Sequence, residues 1–456
     1  LLNFGVERQF VDHADDRILA GDFDVFGGPA FIVHPPAGKW VIAAGEWLFG
    51  MNPFGWRAAV ALLGTLSVLV IARVVRRMTR STLLGCVAGF LMALDGLHVV
   101  ESRIALVDLP AMFWLLLGFA CLLIDRDGIR ARLADVVEPR GRVESGGWGP
   151  AVLWRPWRLA AGVCLGLACA TKWNAAFVLA AFGLLTWAWD IGARRAIGVR
   201  LDRARVWGRL ALDTVVAFAT VVGAAVLTYI ASWSGWLASS DGWDRDWAAT
   251  RPADGLGVLV PDALRSLWHY HAEIMNFHTT LVDDHQYASH PLGWLVVARP
   301  VSFDWVDKIG PDQGCPTDRC VREILAIGTP ALWWAATAAL VVCLVFWLAG
   351  RDWRFGVPVI GVAATWLPWL NWSDRPIFYF YAIVILPWMV IAVTLVLGKL
   401  LGPRDASPER RMWGAALAGG YVLLVVLNFA YLYPILTDQM IPYTEWLSRM
   451  WFNSWV

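Results

Sequence analysis

The side chains able to do chemistry in this chain gather at the ends of its apolar runs, not within them. The first group is His34-Pro35-Pro36-Ala37-Gly38-Lys39-Trp40, just ahead of a long apolar run. Two prolines hold that stretch extended and Gly38 permits a sharp turn, which places a histidine and a lysine in a shaped loop. Arg57 closes Asn52-Pro53-Phe54-Gly55-Trp56-Arg57. Asp95, His98, Glu101, Arg103 and Asp108 cluster between two further runs. Lys172 lies in Thr171-Lys172-Trp173-Asn174, and Asp374 and Arg375 precede Phe378-Tyr379-Phe380-Tyr381. Charges at membrane depth are costly, so each poses a functional question. Cations here can hold the phosphate of a lipid headgroup, arginine bidentately, and can stabilise charge building on a departing phosphate. A neighbouring carboxylate would serve as general base toward an incoming hydroxyl. Singly, each residue has a plainer reading: a turn that opens a helix, a cation snorkelling to ordinary lipid phosphate, or an Arg103–Asp108 pair. Snorkelling alone would not also call for acidic partners.

These groups need a scaffold, and composition fixes its class. Of 456 residues, 58% are hydrophobic and 16% charged, and mean hydropathy is +0.54. The chain reads as an integral membrane protein. A balance of 38 basic and 37 acidic residues argues against a nucleic-acid partner. Thirty tryptophans suit membrane–water interfaces. No internal repeat, nucleotide-binding glycine loop or metal-spaced cysteine cluster is present.

Apolar runs of roughly 15–25 residues recur: 58–72, 83–100, 109–124, 159–170, 175–189, 210–233, 327–348, 357–372, 377–397 and 412–433. The expected fold is an all-α polytopic membrane protein with about ten transmembrane helices. Arginine marks alternate connections: Arg73 to Arg80, Arg126 to Arg158, Arg194 to Arg209, Arg351 and Arg354, and Arg404 to Arg411. These fall on one side, assigned to the cytoplasm, and the 125–158 loop reads as merely basic and solvated. The other side receives every candidate residue named above. The organisation is a first extracytoplasmic loop (1–57), helices (58–233), a large extracytoplasmic loop (234–326), helices (327–433) and an extracytoplasmic tail (434–456). A loop as long as 234–326 is usually functional; it holds His269, His271, His278, His285 and His290. It also holds Cys315 and Cys320 in a polar stretch, expected to form a disulfide in an oxidising compartment, with free thiols as the alternative. Trp446, Trp451 and Trp455 give the tail the look of an interfacial amphipathic piece or of a frayed aromatic end.

The motifs His34-Pro-Pro-Ala-Gly-Lys39-Trp, Asp95-Gly-Leu-His98, Ser102-Arg103-Ile-Ala-Leu-Val-Asp108, Ala170-Thr-Lys172-Trp173, Leu264-Arg-Ser-Leu-Trp268-His269-Tyr270, His290-Pro-Leu-Gly-Trp294, Ile327-Gly-Thr-Pro330 and the Arg375 aromatic run occur together and in order. In this the chain resembles the protein O-mannosyltransferases, most closely their actinobacterial form, over essentially its whole length. The resemblance implies a GT-C type glycosyltransferase, with about eleven spans in the complete protein. Such an enzyme moves mannose from polyprenyl-phosphate mannose, with inversion, to Ser or Thr of exported proteins, in a multi-pass cell membrane location with an extracytoplasmic site. It implies no cofactor, nucleotide sugar or metal. Partners would be the lipid donor, membrane lipids, Ser/Thr-rich exported proteins and, as a further candidate, the secretion translocon.

By the same resemblance Lys39 is a donor-phosphate contact, Arg57 an acceptor or donor contact, Arg103 and Asp108 supports of the site, and Arg375 a second phosphate contact. His34 and Lys172 complete the candidate substrate-binding set. The family's catalytic Asp-Glu pair belongs ahead of the proline-rich motif, after a first span. No matching Phe-Asp-Glu precedes His34, and Asp12, Asp15, Asp16, Asp22 and Asp24 do not fit its context. The expectation is that Leu1 follows a truncation, that the catalytic residues stay unassigned, and that the polypeptide as written lacks its base. Two alternatives stand beside this reading: a GT-C transferase acting on a lipid or cell-wall glycan, and a membrane transporter. The polar groups gather on one face without a repeat, which counts against transport.

Overall fold

The computed structural model describes residues 5–137, 152–200, 204–403 and 405–456. Arg404, Leu1 and parts of the 125–158 and 194–209 arginine segments lie outside the described residues. The chain opens with β1 (Arg8–Phe10), α1 (Ala14–Leu19), β2 (Phe26–Pro29) and α2 (Pro36–Phe49). A first helical set follows: α3 (Pro53–Thr79), α4 (Thr82–Ala93), α5 (Gly96–Glu101), α6 (Asp108–Val137), α7 (Pro156–Cys169), α8 (Ala175–Ala196), α9 (Ala204–Phe218) and α10 (Ala224–Ser232). The large loop carries α11 (Ser234–Ala238), α12 (Asp262–Thr280), β3 (Val301–Ile309) and β4 (Cys320–Ala326). The rest is α13 (Pro330–Leu348), α14 (Trp353–Trp366), α15 (Leu386–Leu401), α16 (Pro408–Leu436), β5 (Ile441–Pro442) and α17 (Tyr443–Arg449).

Each of the ten apolar runs coincides with helix. Among the described residues six helices are long and apolar enough to cross a bilayer, and α4, α7 and α15 are shorter apolar helices. The 83–100 run is not one helix. Asp95 breaks it: one carboxylate oxygen caps α5 by accepting from the His98 N–H. The other accepts from the Thr329 N–H at 3.0 Å and Trp333 Nε1 at 2.7 Å. A buried carboxylate thus pins the start of α13 to the α4–α5 corner. His98 is structural too, its Nε2 lying 2.9 Å from Ser67 Oγ. Pro368 ends the 357–372 run in a 3-10 turn.

At the arginine-rich end, Arg155 reaches Asp125 and Asp190 bidentately, and Arg158 bonds both acids as well. All four residues are buried. The described part of the 125–158 segment is therefore not merely solvated: this cluster ties α6, α7 and α8, and Arg126 lies 3.6 Å over the Trp353 ring on α14. Asp108 and Asp125 mark opposite ends of the spanning part of α6, about 25 Å apart at 1.5 Å per residue. The same chain segments therefore carry an arginine-rich end and, far from it, the end where the candidate residues lie. Gly166 brings α7 and α10 into close contact: a Cβ there would stand 2.6 Å from the Ala225 carbonyl.

Outside the spans, β3, β4 and β5 form an antiparallel sheet in that order, and Cys315–Cys320 are disulfide-bonded beside the β3–β4 turn. The tail is packed onto the protein, not frayed, though Trp451 and Phe452 stay exposed. Trp446 and Trp455 are buried, donating to Glu323 Oε2 and to the Val297 carbonyl. Removing one side of a buried charge cluster leaves the other uncompensated. Arg155→Met is expected to lower stability by about 3–5 kcal/mol, read as a drop in unfolding temperature in detergent.

Candidate functional site

The proline-rich stretch is not a free loop. Pro36 opens α2, so Gly38 and Lys39 are already helical, and Gly38 makes no sharp turn. Its lack of a side chain serves approach instead: a Cβ there would meet Thr171 Cγ2 at 2.6 Å. The Ala37 N–H donates to the Ala170 carbonyl at 2.9 Å, which seats the stretch on the α7–α8 turn. Upstream, the Ile32 N–H donates to Tyr270 Oη, whose hydroxyl returns a bond to the Ile32 carbonyl. Held from both sides, His34 faces a cavity of about 720 Å³.

The cavity has two halves. One is apolar, with Phe177, Leu179, Ala225 and Val226 from α8 and α10. A π-helical turn at Ala219–Gly223 precedes the α10 residues and offsets the helix so that Ala225, Val226 and Tyr229 face inward. The other half is cationic and aromatic. Lys172, only 5% exposed, donates to Asp108 Oδ1 at 2.6 Å, and its ammonium lies 3.5 Å over the Tyr381 ring. Asp108 approaches from behind, and an ammonium has three donors, so others remain for the cavity. Arg375 Nη1 donates to His278 Nδ1 at 2.8 Å, and the His278 and His34 rings lie 6.0 Å apart. On the α10 side, Trp173 Nε1 donates to Tyr229 Oη at 2.9 Å, and Tyr229 lies 2.7 Å from His271 Nε2. His271 Nδ1 faces the Leu267 carbonyl at 2.7 Å. A carbonyl only accepts, so Nδ1 carries the proton and Tyr229 donates to Nε2.

Of the sequence candidates, His34, Lys172 and Arg375 line the cavity. Asp108 supports Lys172 and does not pair with Arg103. Arg57 and Arg103 are exposed outside the cavity. Lys39 is turned away from it, bonded to Glu7 and to the His34 carbonyl. Glu101 is buried with neither carboxylate oxygen hydrogen-bonded, and it too lies outside. Sequence reasoning missed His278, His271, Tyr229, Trp369 and Tyr381 as lining residues. One signal was available: His271, Met275 and His278 recur at helical spacing, so they share a face of α12. The Arg375–His278 contact spans 97 positions, and nothing local announces it. Among the described residues no group of three His, Cys, Asp or Glu side chains forms a metal-ligand cluster. Among the described residues no carboxylate lines the cavity.

An apolar chamber joined to a buried lysine and a half-buried arginine at one end of a helical bundle has the chemistry of a membrane enzyme for a lipid-linked anion. The fold is that of a solved enzyme of this class. The Saccharomyces cerevisiae protein O-mannosyltransferase Pmt1-Pmt2 complex bound to the sugar donor aligns with a TM-score of 0.69 at 14% identity, covering 94% of this chain and 87% of that one. The family model for dolichyl-phosphate-mannose-protein mannosyltransferase matches residues 27–133, and that for the C-terminal four-span region of protein O-mannosyltransferase matches 263–455. A polyprenol-phosphate-mannose–protein mannosyltransferase of Mycolicibacterium smegmatis is 39% identical, covering 94% of this chain and 83% of its own length. The enzyme of the same name from Corynebacterium glutamicum is 33% identical, with 98% and 87% covered. The chain belongs to the protein O-mannosyltransferase family and is a membrane glycosyltransferase.

Burial, reinforced by Lys172 and Lys39, depresses the His34 pKa from the ordinary 6.5 to about 2. Burial and then Arg375 depress that of His278 to about 4. Both are neutral at working pH, so the positive charge of the cavity resides on Lys172 and Arg375. In the unfolded chain the same histidines titrate at their ordinary value. Stability is therefore unaffected by them above about pH 6.5 and falls below it, by up to about 1.4 kcal/mol per pH unit for each histidine. Unfolding temperature measured from pH 7 to 4.5 is expected to drop less steeply in His278→Asn than in the wild type. Equal slopes would contradict this assignment.

Proposed function

We propose that this enzyme takes mannose from polyprenyl-phosphate mannose and places it, with inversion, on Ser or Thr hydroxyls of exported proteins. The observation that carries the reading is the two-part cavity: an apolar half of a size and lining suited to a polyprenyl chain, joined to Lys172 and Arg375. In that pose the phosphate oxygens take hydrogen bonds from Lys172 and from the Arg375 fork. Neutral His34 and His278 donate or accept without adding charge. Tyr381 and Trp369 give the sugar end flat faces. The reaction breaks the bond between the anomeric carbon and the phosphate oxygen, and the electron pair leaves with polyprenyl phosphate. The two cations stabilise the charge that builds there. The acceptor oxygen enters from the opposite face of the sugar and gives up its proton to a base. That base is not assigned to any described residue of this cavity; the resemblance places an Asp-Glu pair ahead of His34.

In this reading the lipid-linked donor replaces a nucleotide sugar, and Lys172 and Arg375 meet the phosphate charge without a metal ion. The proposed location is the plasma membrane, with the cavity on the extracytoplasmic side. The arginine-rich opposite ends of the helices and the Cys315–Cys320 disulfide support that orientation. The secretion translocon stays a candidate partner, to be tested by cross-linking.

The test is mannosyl transfer in membranes from polyprenyl-phosphate mannose to a Ser/Thr-rich exported peptide. It uses this chain and one extended by the family's first span and Asp-Glu loop. Whichever form is active is expected to lose about a hundredfold or more in rate with Lys172→Met and with Arg375→Ala. Label arriving on a glycan or lipid instead of the peptide would overturn the acceptor assignment. Full activity in Lys172→Met would overturn the phosphate site.

A further inference from the structure

Glu7 was not among the acids that the sequence singled out, yet its partner is the lysine of the proline-rich motif. The segment before β1 enters the molecule through Val6, which is buried against Trp233, Trp236 and Tyr270. This brings the Glu7 carboxylate onto the Lys39 ammonium, with side-chain exposures of 16% and 20%. Lys39 in turn donates to the His34 backbone carbonyl. Two residues upstream, Tyr270 clamps the backbone of Ile32. His34 is thus held between two clamps, and only one of them is charged. Burial works against that charge, raising the Glu7 pKa and lowering that of Lys39, so neither ion is stable there without the other.

We propose that Glu7 is a positioning residue of the transfer site: through Lys39 it fixes the His34 wall of the cavity and keeps the Lys39 ammonium out of the donor-phosphate pocket. This assigns Lys39 to the support of the site in place of phosphate contact. It rests on the reading of the cavity as the donor site.

The experiment uses the full chain in nanodiscs, with two readouts. The first is the rate of His34 modification by diethyl pyrocarbonate, quantified by peptide mass spectrometry without ligand. The second is the Kd for a long-chain polyprenyl phosphate. Glu7→Gln and Lys39→Met are each expected to expose His34 to modification and to weaken polyprenyl phosphate binding by about tenfold, the scale of a lost charged hydrogen bond. The conservative Lys39→Arg variant, which keeps a charged donor for both Glu7 and the His34 carbonyl, is expected to retain most of that binding. Unfolding temperatures of all variants separate positioning from a general loss of fold, and Glu7→Gln is mild enough to remain folded. Unchanged His34 labelling in Glu7→Gln would overturn the proposal, as would tighter lipid binding there, which would mean that released Lys39 contacts the phosphate. Wild-type protein that fails to bind polyprenyl phosphate would overturn the donor site itself. The His34 labelling would still decide whether Glu7 holds the loop.

Discussion

The site depends on the partners of one buried lysine at the edge of a membrane. Lys172 is almost wholly buried, and burying an ammonium without partners is costly. Its own turn and two residues distant in sequence offset that cost. Asp108, the first residue of α6, supplies the countercharge. The α7–α8 turn fixes the lysine backbone through the Lys172 N–H bond to the Ala168 carbonyl. Tyr381, beyond the Arg375 loop, offers the face of its ring. The ion pair thus decides where α6, α7 and the 379–384 turn meet. The cavity is the space left in front of it.

Each end of the bundle solves the same electrostatic problem differently. At the arginine-rich end two arginines and two aspartates pair with one another in a buried cluster, which acts as a fastener. At the other end the cations are under-matched: Asp108 serves Lys172, while Arg375 donates to a neutral histidine, His278. A surplus of positive charge beside an apolar chamber is poised for a lipid-linked anion. The aromatic girdle of Trp173, Trp369, Trp372 and Tyr381 lets the chamber accept both a hydrocarbon and a sugar.

Much of this was legible in the sequence, because hydrophobicity at spanning length and arginine at alternate connections are strong signals. Ten apolar runs marked ten helical regions, and His34, Lys172 and Arg375, picked out of the loops, come together in the lining of one cavity. What the sequence could not show was the partner of each polar group. Asp95 and His98 looked like site residues because charge near membrane depth suggests function, but their hydrogen bonds are spent on holding α13 and α3 to the α4–α5 corner. Lys39 looked like a phosphate ligand because it sits in a distinctive motif; its acidic partner lies 32 positions earlier by numbering, in a segment with no pattern of its own. His278 was one histidine among several until the fold brought it to Arg375. Tail tryptophans suggested a membrane surface, whereas a partner within the protein, Glu323, had claimed Trp446. These cases share a cause: a sequence shows which groups are costly to bury, and only the fold shows which neighbour offsets the cost.

The most direct measurement is a cryo-EM structure of the protein in nanodiscs with a polyprenyl phosphate bound. The phosphate should lie within hydrogen-bond distance of Lys172 Nζ and the Arg375 guanidinium, with the first isoprene units between α8 and α10 against Phe177 and Val226. A phosphate seated instead on Lys39, Arg57 or Arg103, with Lys172 still closed on Asp108, would contradict the assignment of this cavity as the donor site.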